Sequence, residues 1–438
     1  MVRRVLRIVT ALAVAIIGLS VLIFIVGYGV DFFSSAAVRK EAEQALAEFD
    51  RLDRSDDGNA WEYYQKAIRL METRTYDRRI DTYLVHSIAV SSSLQMELNR
   101  HNDISNLIRT GAAQPYCCIP IDYEKGLHAV LPNYRKLMEC AKILNAQILV
   151  ALEQGHRGRA VDKMIDGFTL SRHVMNGTPL MLNFMMGMRM VNLFAATLDI
   201  ALSTGAFDEN DLEKIVALLR EYDQKIPPTV WVLQAENNGM KIMMRTIPPL
   251  YPMLDQIEML KATLLDEMGM RLLFWRHGFS AKLAALSAVR NIDNIISDMQ
   301  DDGKHKGSIE EDIQHANDFD DFLVAYRSKN EIMNIYATNW RGLFVSRTRS
   351  LAYIRLLYSA ALLWLDRIEQ GDFPQSLTGS EVSKVLDPYT GEIWEYIWTG
   401  DIVTLKSPGS DLVFDNQDDL SITLFRQSIQ EFLDQIRP

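Results

Sequence analysis

The 438-residue chain carries none of the short signatures from which catalysis or nucleotide binding is usually read. It has no GxxxxGKS or GxxxxGKT phosphate loop and no GxGxxG turn after a strand. GxSxG and HExxH are also missing. His86, His101, His128, His156, His173 and His277 are scattered, and no acid–base pair stands out among 57 Asp and Glu. No catalytic residue and no cofactor is assigned, and the residue-level case favours a non-enzyme. An envelope hydrolase or metal-dependent enzyme without a recognisable motif is the alternative. Positive charge is also scarce: 46 Lys and Arg leave a net charge of −11. That excludes a general nucleic-acid binder, which needs a basic face for phosphates.

Cysteine is scarcer still, with only Cys117, Cys118 and Cys140. Adjacent thiols are neither a CxxC redox pair nor zinc spacing, so no metal is assigned there. In an oxidising compartment one of the vicinal pair could bridge to Cys140, with three unpaired, partly buried thiols as the alternative.

Against these absences stands one unbroken apolar run. Ile8 to Val30 holds 23 residues without a charge. At about 1.5 Å per residue it spans a hydrocarbon core of roughly 30 Å. Arg3, Arg4 and Arg7 precede it, which predicts a cytoplasmic N-terminus and an exported body. Residues 1–40 carry Arg3, Arg4, Arg7, Arg39 and Lys40 against Asp31, a net of +4, so the remainder is −15. The expected location is the bacterial inner membrane, single-pass, with the bulk of the chain periplasmic. A signal sequence cleaved before Val38 is the competing reading, but the run exceeds the usual 7–15 residues of such a segment. A second span is not expected, because the apolar stretch 179–202 contains Asn183, Arg189, Asn192 and Asp199.

The body reads as amphipathic helix, an irregular solenoid or bundle. The predicted units are an anchor over 1–37, a helical domain over 38–342 and a small α+β unit over 343–438. A helix capped by Asn59 should bury Trp61, Tyr64, Ala67, Ile68 and Met71. Helical structure is expected around Ile80–Arg109, then a Gly/Pro/Cys loop. Two helices meeting at Gly155 follow; the first buries Leu137, Cys140, Ala141, Leu144, Ile148, Ala151 and Leu152, the second Ala160, Met164, Gly167, Phe168 and Leu170. Asp208 should cap a further helix. Six methionines (Met175, Met181, Met185, Met186, Met188 and Met190) fall at helical spacing, which reads as core packing rather than a soft-metal site. Residues 298–321 hold nine Asp and Glu and two Lys, an acidic linker. Its His305, Glu310, Glu311 and His315 have ligand chemistry but no compact metal spacing. A helix should stop at Gly371, with Pro374 preventing its continuation. "DPYTG" is turn chemistry, and two β-type runs flank Thr399-Gly400 as a hairpin. Ile422, Phe425, Ile429, Leu433 and Ile436 are spaced as one face of a terminal helix.

Two resemblances follow. The segment over about 133–175 is similar to a tetratricopeptide-type helical hairpin, which implies protein–protein interaction. The segment over about 355–415 resembles the major pseudopilins of type II secretion and related pilin-like proteins. It shares a helix ended by Gly371, Phe373 and Pro374, the Asp387, Pro388, Gly391 and Tyr396 turn and strand, and the Gly409 and Asp411 loop. The resemblance implies a helix packed on a small antiparallel sheet. It also implies calcium in the loop after the sheet, with Asp411, Asp415, Asn416, Asp418 and Asp419 as oxygen ligands. The apolar span lacks the glutamate and processing site of that family, so a local fold carries over and fibre assembly does not. The function expected is a membrane-anchored interaction or scaffold module with envelope protein partners. An accessory component of a secretion or pilus-like machine is the alternative.

Overall fold

The computed structural model describes residues 36–47, 58–86, 90–122, 131–178, 180–227, 229–243, 289–290, 292–294, 296–297 and 340–425. The span Ile8–Val30, the acidic linker 298–321 and the terminal segment from 426 onward lie outside the described residues. What is described is mainly helical, with one small antiparallel sheet near the end.

Residues 36–47 are helical. Helix α1 (Trp61–Glu72) buries Trp61, Tyr64, Ala67, Ile68 and Met71, the stripe its apolar spacing predicts. Its cap position is Ala60 rather than Asn59. Asn59 instead accepts from Trp61 N–H at 3.0 Å while fastening the 116–118 segment. The helical stretch expected around Ile80–Arg109 is divided into α2 (Arg79–His86), α3 (Ser92–Arg100) and α4 (Asn102–Ala112). Ser91 caps α3 by accepting from Leu94 N–H.

Helices α5 (Tyr134–Glu153), α6 (Arg157–Gly177) and α7 (Met181–Ser203) form the centre. The α5–α6 turn runs through Gly155 at φ +72°, a left-handed conformation that glycine adopts without steric cost. Helices α6 and α7 approach closely because glycine faces the contact on each. A Cβ on Gly167 would lie 2.6 Å from the Phe194 ring, and one on Gly187 would lie 2.7 Å from the Ser171 carbonyl. Among the described residues, α7 has the length and apolar composition to cross a membrane, yet more than half of its apolar stretch is buried in the protein. Helix α8 (Glu209–Lys225) starts where predicted, with Asp208 accepting from Asp211 N–H at 3.0 Å. Helix α9 (Thr229–Met243) follows.

Helix α10 (Trp340–Gln370) packs along α8 and α7 and carries the sheet, which also touches α7. It straddles the expected boundary at 342/343. One hydrophobic core runs from Ala60 to Leu424, so the C-terminal unit shares its core with the helical body. The main joint is Trp364. Its indole N–H donates to the Leu202 carbonyl at 2.7 Å, and its ring lies over Gly205, where a Cβ would come within 2.8 Å. Phe373 meets Trp364 edge-on at 5.1 Å, and Arg367 covers both rings at 4.8 and 5.1 Å. Tyr353 to Asp199 (2.7 Å) and Arg355 to Asp223 (2.8 Å) extend the joint.

Gly371, at φ +84°, ends α10 as expected. The 387–391 turn folds around buried Asp387, which accepts from Tyr389 N–H, while its carbonyl accepts from Gly391 N–H. Strands β1 (Glu395–Trp398) and β2 (Ile402–Ser407) form the predicted hairpin, and β3 (Leu420–Phe425) pairs antiparallel with β2. Here the terminal-helix expectation is corrected: Ile422 and Phe425 belong to a strand. Leu420, Ile422 and Leu424 face inward while Ser421 faces out, a period of two. Tyr396 donates to the Pro374 carbonyl at 2.5 Å, tying β1 to the end of α10.

The Trp364 joint generates a test. Trp364→Ala should lower the unfolding free energy by about 3–5 kcal/mol, the usual cost of emptying a buried aromatic site. Urea denaturation followed by circular dichroism measures it, and a loss below about 1 kcal/mol would show that the joint is not a main support.

Candidate functional site

Three polar places stand out in the described fold. The first is the 116–119 segment, held from both sides. Asn59 donates to the Cys118 carbonyl and accepts from Cys118 N–H, both at 2.9 Å. Thr178, at the end of α6, accepts from Ile119 N–H and donates to the Ile119 carbonyl. Cys117 rests on Gly177, where a Cβ would be 3.2 Å from its sulfur. Cys140 lies on α5 and points its thiol at the Ala67 carbonyl, 3.8 Å away. All three cysteines are free thiols here, the arrangement of the second of the two sequence readings. Burial pushes the Cys117 and Cys140 thiols up, the latter to about 12, so neither is an activated nucleophile.

Beside this strap, Tyr64 of α1 and His173 of α6 share a buried hydrogen bond of 2.8 Å. Tyr134 donates to Asn183, and Asn183 donates to the Thr178 carbonyl at 2.9 Å. Burial, with Arg172 nearby, lowers the His173 pKa from 6.5 to about 4. The imidazole is therefore neutral at pH 7. The pair joins two helices and leaves no open face for a substrate. The apolar stripe of α1 announced that Tyr64 is buried, but its partner lies 109 residues away, beyond any local pattern.

The second place lies among α4, α5 and α6. Lys163 donates to Gln147 at 2.8 Å, and Ser105 donates to the same oxygen at 2.7 Å. Burial, with Arg159 and Arg109 near, brings the Lys163 pKa down to about 8. Burial brings Asp166 up to about 6, opposed by Arg109 and Lys163. Such opposed shifts also mark catalytic pairs. Here Lys163 and the Ser105 hydroxyl are both committed to the one Gln147 amide oxygen.

The third is the β2–β3 loop, where the predicted ligand set lies. Ser410 donates through its backbone N–H and its hydroxyl to Asp418 Oδ2, at 2.9 and 3.0 Å. Asp415 pairs with Lys406 at 2.8 Å and donates its backbone N–H to Asp419 at 2.7 Å. Asn416 accepts from Asp418 N–H and donates to the Val413 carbonyl. Arg349 of α10 donates to the Asp418 carbonyl at 3.1 Å. These oxygens close the loop on itself. Among the described residues no three His, Cys, Asp or Glu side chains form a group that could hold a metal ion. Leu412 and Asp415 take left-handed backbone, φ +59° and +69°. Each such residue costs about 1–2 kcal/mol.

Comparison with models of protein families, with curated proteins and with solved structures gives no match.

Two outcomes follow. Below pH 6.5 the unfolded chain protonates His173 and the folded one does not, so stability should fall from pH 6.5 to about 4 and level below it. The upper limit of the loss is roughly 3 kcal/mol. Tyr64→Phe should separately cost about 1–3 kcal/mol at pH 7 by orphaning the ring nitrogen, and His173→Gln should flatten the pH slope. Urea titrations across pH measure both. For the loop, calcium at about 1 mM and excess chelator should give the same melting temperature. A calcium-dependent rise would support the ligand reading instead.

Proposed function

We propose that the protein is a membrane-anchored envelope protein acting as a protein–protein interaction or scaffold module. In this reading Ile8–Val30 is the anchor, the N-terminus is cytoplasmic and the helical body is periplasmic. The observation that carries the reading is an apolar stripe left on the surface of the central helix. Leu182, Met185, Ala196 and Ile200 are exposed on one face of α7, with half-buried Leu193 between them. The exposed positions 182, 185, 189, 192, 196 and 200 follow the i, i+3, i+7 rhythm of a helix face, with Arg189 and Asn192 the polar residues within it. The opposite face of the same helix is packed by glycine-mediated contact with α6, so the stripe sits on a rigid support. An apolar strip with a single cation suits a partner of matching shape more than bulk water. Methionine within it adds adaptable contact surface.

The alternative, an accessory component of a secretion or pilus-like machine, draws on residues 340–425. There one helix carries a three-stranded antiparallel sheet, interlocked through Gly371, Phe373 and Tyr396. That likeness is one of local fold, a weaker warrant for function than a surface.

Affinity purification of the full chain from detergent-solubilised membranes tests the main reading. A protein should co-purify stoichiometrically, and the pair Met185→Glu and Ile200→Glu should reduce its recovery about tenfold without changing the melting temperature. Recovery of no protein, or recovery indifferent to the stripe, would refute the scaffold reading.

A further inference from the structure

The β2–β3 loop presents Leu412, Val413 and Phe414 in succession, 58, 57 and 40% exposed. Nothing about the local sequence requires this. Three adjacent apolar residues ordinarily turn at least one side chain inward. The loop instead holds them out through two non-glycine residues in left-handed backbone, Leu412 and Asp415. It is braced from beneath by Asp418 on Ser410, Asp419 on the Asp415 amide, and Asn416 on the Val413 carbonyl. Gly409 is pressed against the Asp418 carbonyl, where a Cβ would stand 2.5 Å away. Unfavourable backbone kept in place by several bonds is a built feature, and such features gather at binding sites.

The charge around the tip selects what it meets. Asp415, Asp418 and Asp419 flank the three apolar residues, positions 407–425 contain no Lys or Arg, and Arg349 of α10 reaches the loop at the Asp418 carbonyl. Lys406 offsets one of these charges through Asp415. An acidic collar is repelled by anionic lipid headgroups and by a second copy of this acidic chain.

We propose that the Leu412–Val413–Phe414 tip docks into another protein, in an apolar pocket rimmed by lysine or arginine. The proposal rests on the interaction-module reading and adds to it a second contact with stated chemistry. The apolar tip fills the pocket, and the collar selects the rim and speeds encounter.

The test uses the full chain in its own membrane, with the photo-crosslinking amino acid benzoylphenylalanine in place of Phe414. After irradiation, mass spectrometry maps the attached segment. The expected adduct is a protein segment of apolar residues carrying at least about two Lys or Arg, the rim that electrostatic complementarity requires. Asp415→Asn with Asp419→Asn should lower the yield about fivefold. Leu412→Asn keeps a residue that tolerates left-handed backbone, so it should melt like the parent and still lower the yield about tenfold. Val413→Ser repeats that arm at a position of ordinary backbone. Adducts with phospholipid, with another copy of this chain or with an acid-rimmed segment would overturn the proposal, as would no adduct. Stripe-dependent recovery of a partner with a silent tip would remove this proposal alone. Loss of both would remove the interaction reading too.

Discussion

The arrangement depends on one indole. Trp364 donates its N–H to the buried Leu202 carbonyl in the last turn of α7, which also accepts from Gly205 N–H, and lays its ring over the Gly205 turn that opens the way to α8. A helix end leaves carbonyls without intrahelical partners, and burying them unpaired is unfavourable. The turn at Gly205 supplies one donor to the Leu202 carbonyl, and the indole adds a second while closing the core in the same contact. Because Trp364 also stacks with Phe373 and Arg367, the end of α10 is fixed in direction. The turn after Gly371 is thereby aimed so that the sheet returns to α10 and α7. Without that joint the sheet would have an apolar face and nothing to cover it, and three short strands are not stable alone.

Close helix approach is the second constraint, and it acts through missing side chains. Gly167 admits the Phe194 ring and Gly187 admits the backbone of α6. With α6 pressed on one side and α10 on another, α7 is held by its neighbours along most of its length. This explains how a helix apolar enough to resemble a membrane span serves as the centre of the body. Its polar residues agree: Asn183, Asn192 and Asp199 each bond to neighbouring groups in the fold.

Legibility in the sequence followed the range of the interaction. The stripe of α1, the Gly155 turn, the Asp208 cap, the Gly371 stop and the hairpin at Gly400 are set within a few residues, and each appears where the pattern put it. Strand β3 did not, because Ile422 and Phe425 satisfy helix spacing while Leu420, Ile422 and Leu424 satisfy strand alternation. A short apolar run carries both periods. Pairing with β2, from Ile402–Phe425 to Ser407–Leu420, decides between them. The Tyr64–His173 bond and the Trp364 joint span more than 100 residues each, so no window contains them. The hold on the 116–119 strap was illegible for a related reason: Asn59, Thr178 and Gly177 reach it from about 59 residues away.

Interior and surface then argue in opposite directions about where activity lies. The buried polar groups that attract notice are bound to other parts of the fold: His173 to Tyr64, Lys163 to Gln147, Asp387 to its own turn. Groups so committed contribute to uniqueness of structure, since each bond is available in one arrangement of the helices. The surface shows the reverse, with Leu412 to Phe414 and the α7 stripe turned toward water where burial would be favourable. In the loop this exposure is opposed by backbone strain as well as by hydration. Apolar surface held out in this way is favourable to bury, and that is what supports the proposed interaction module.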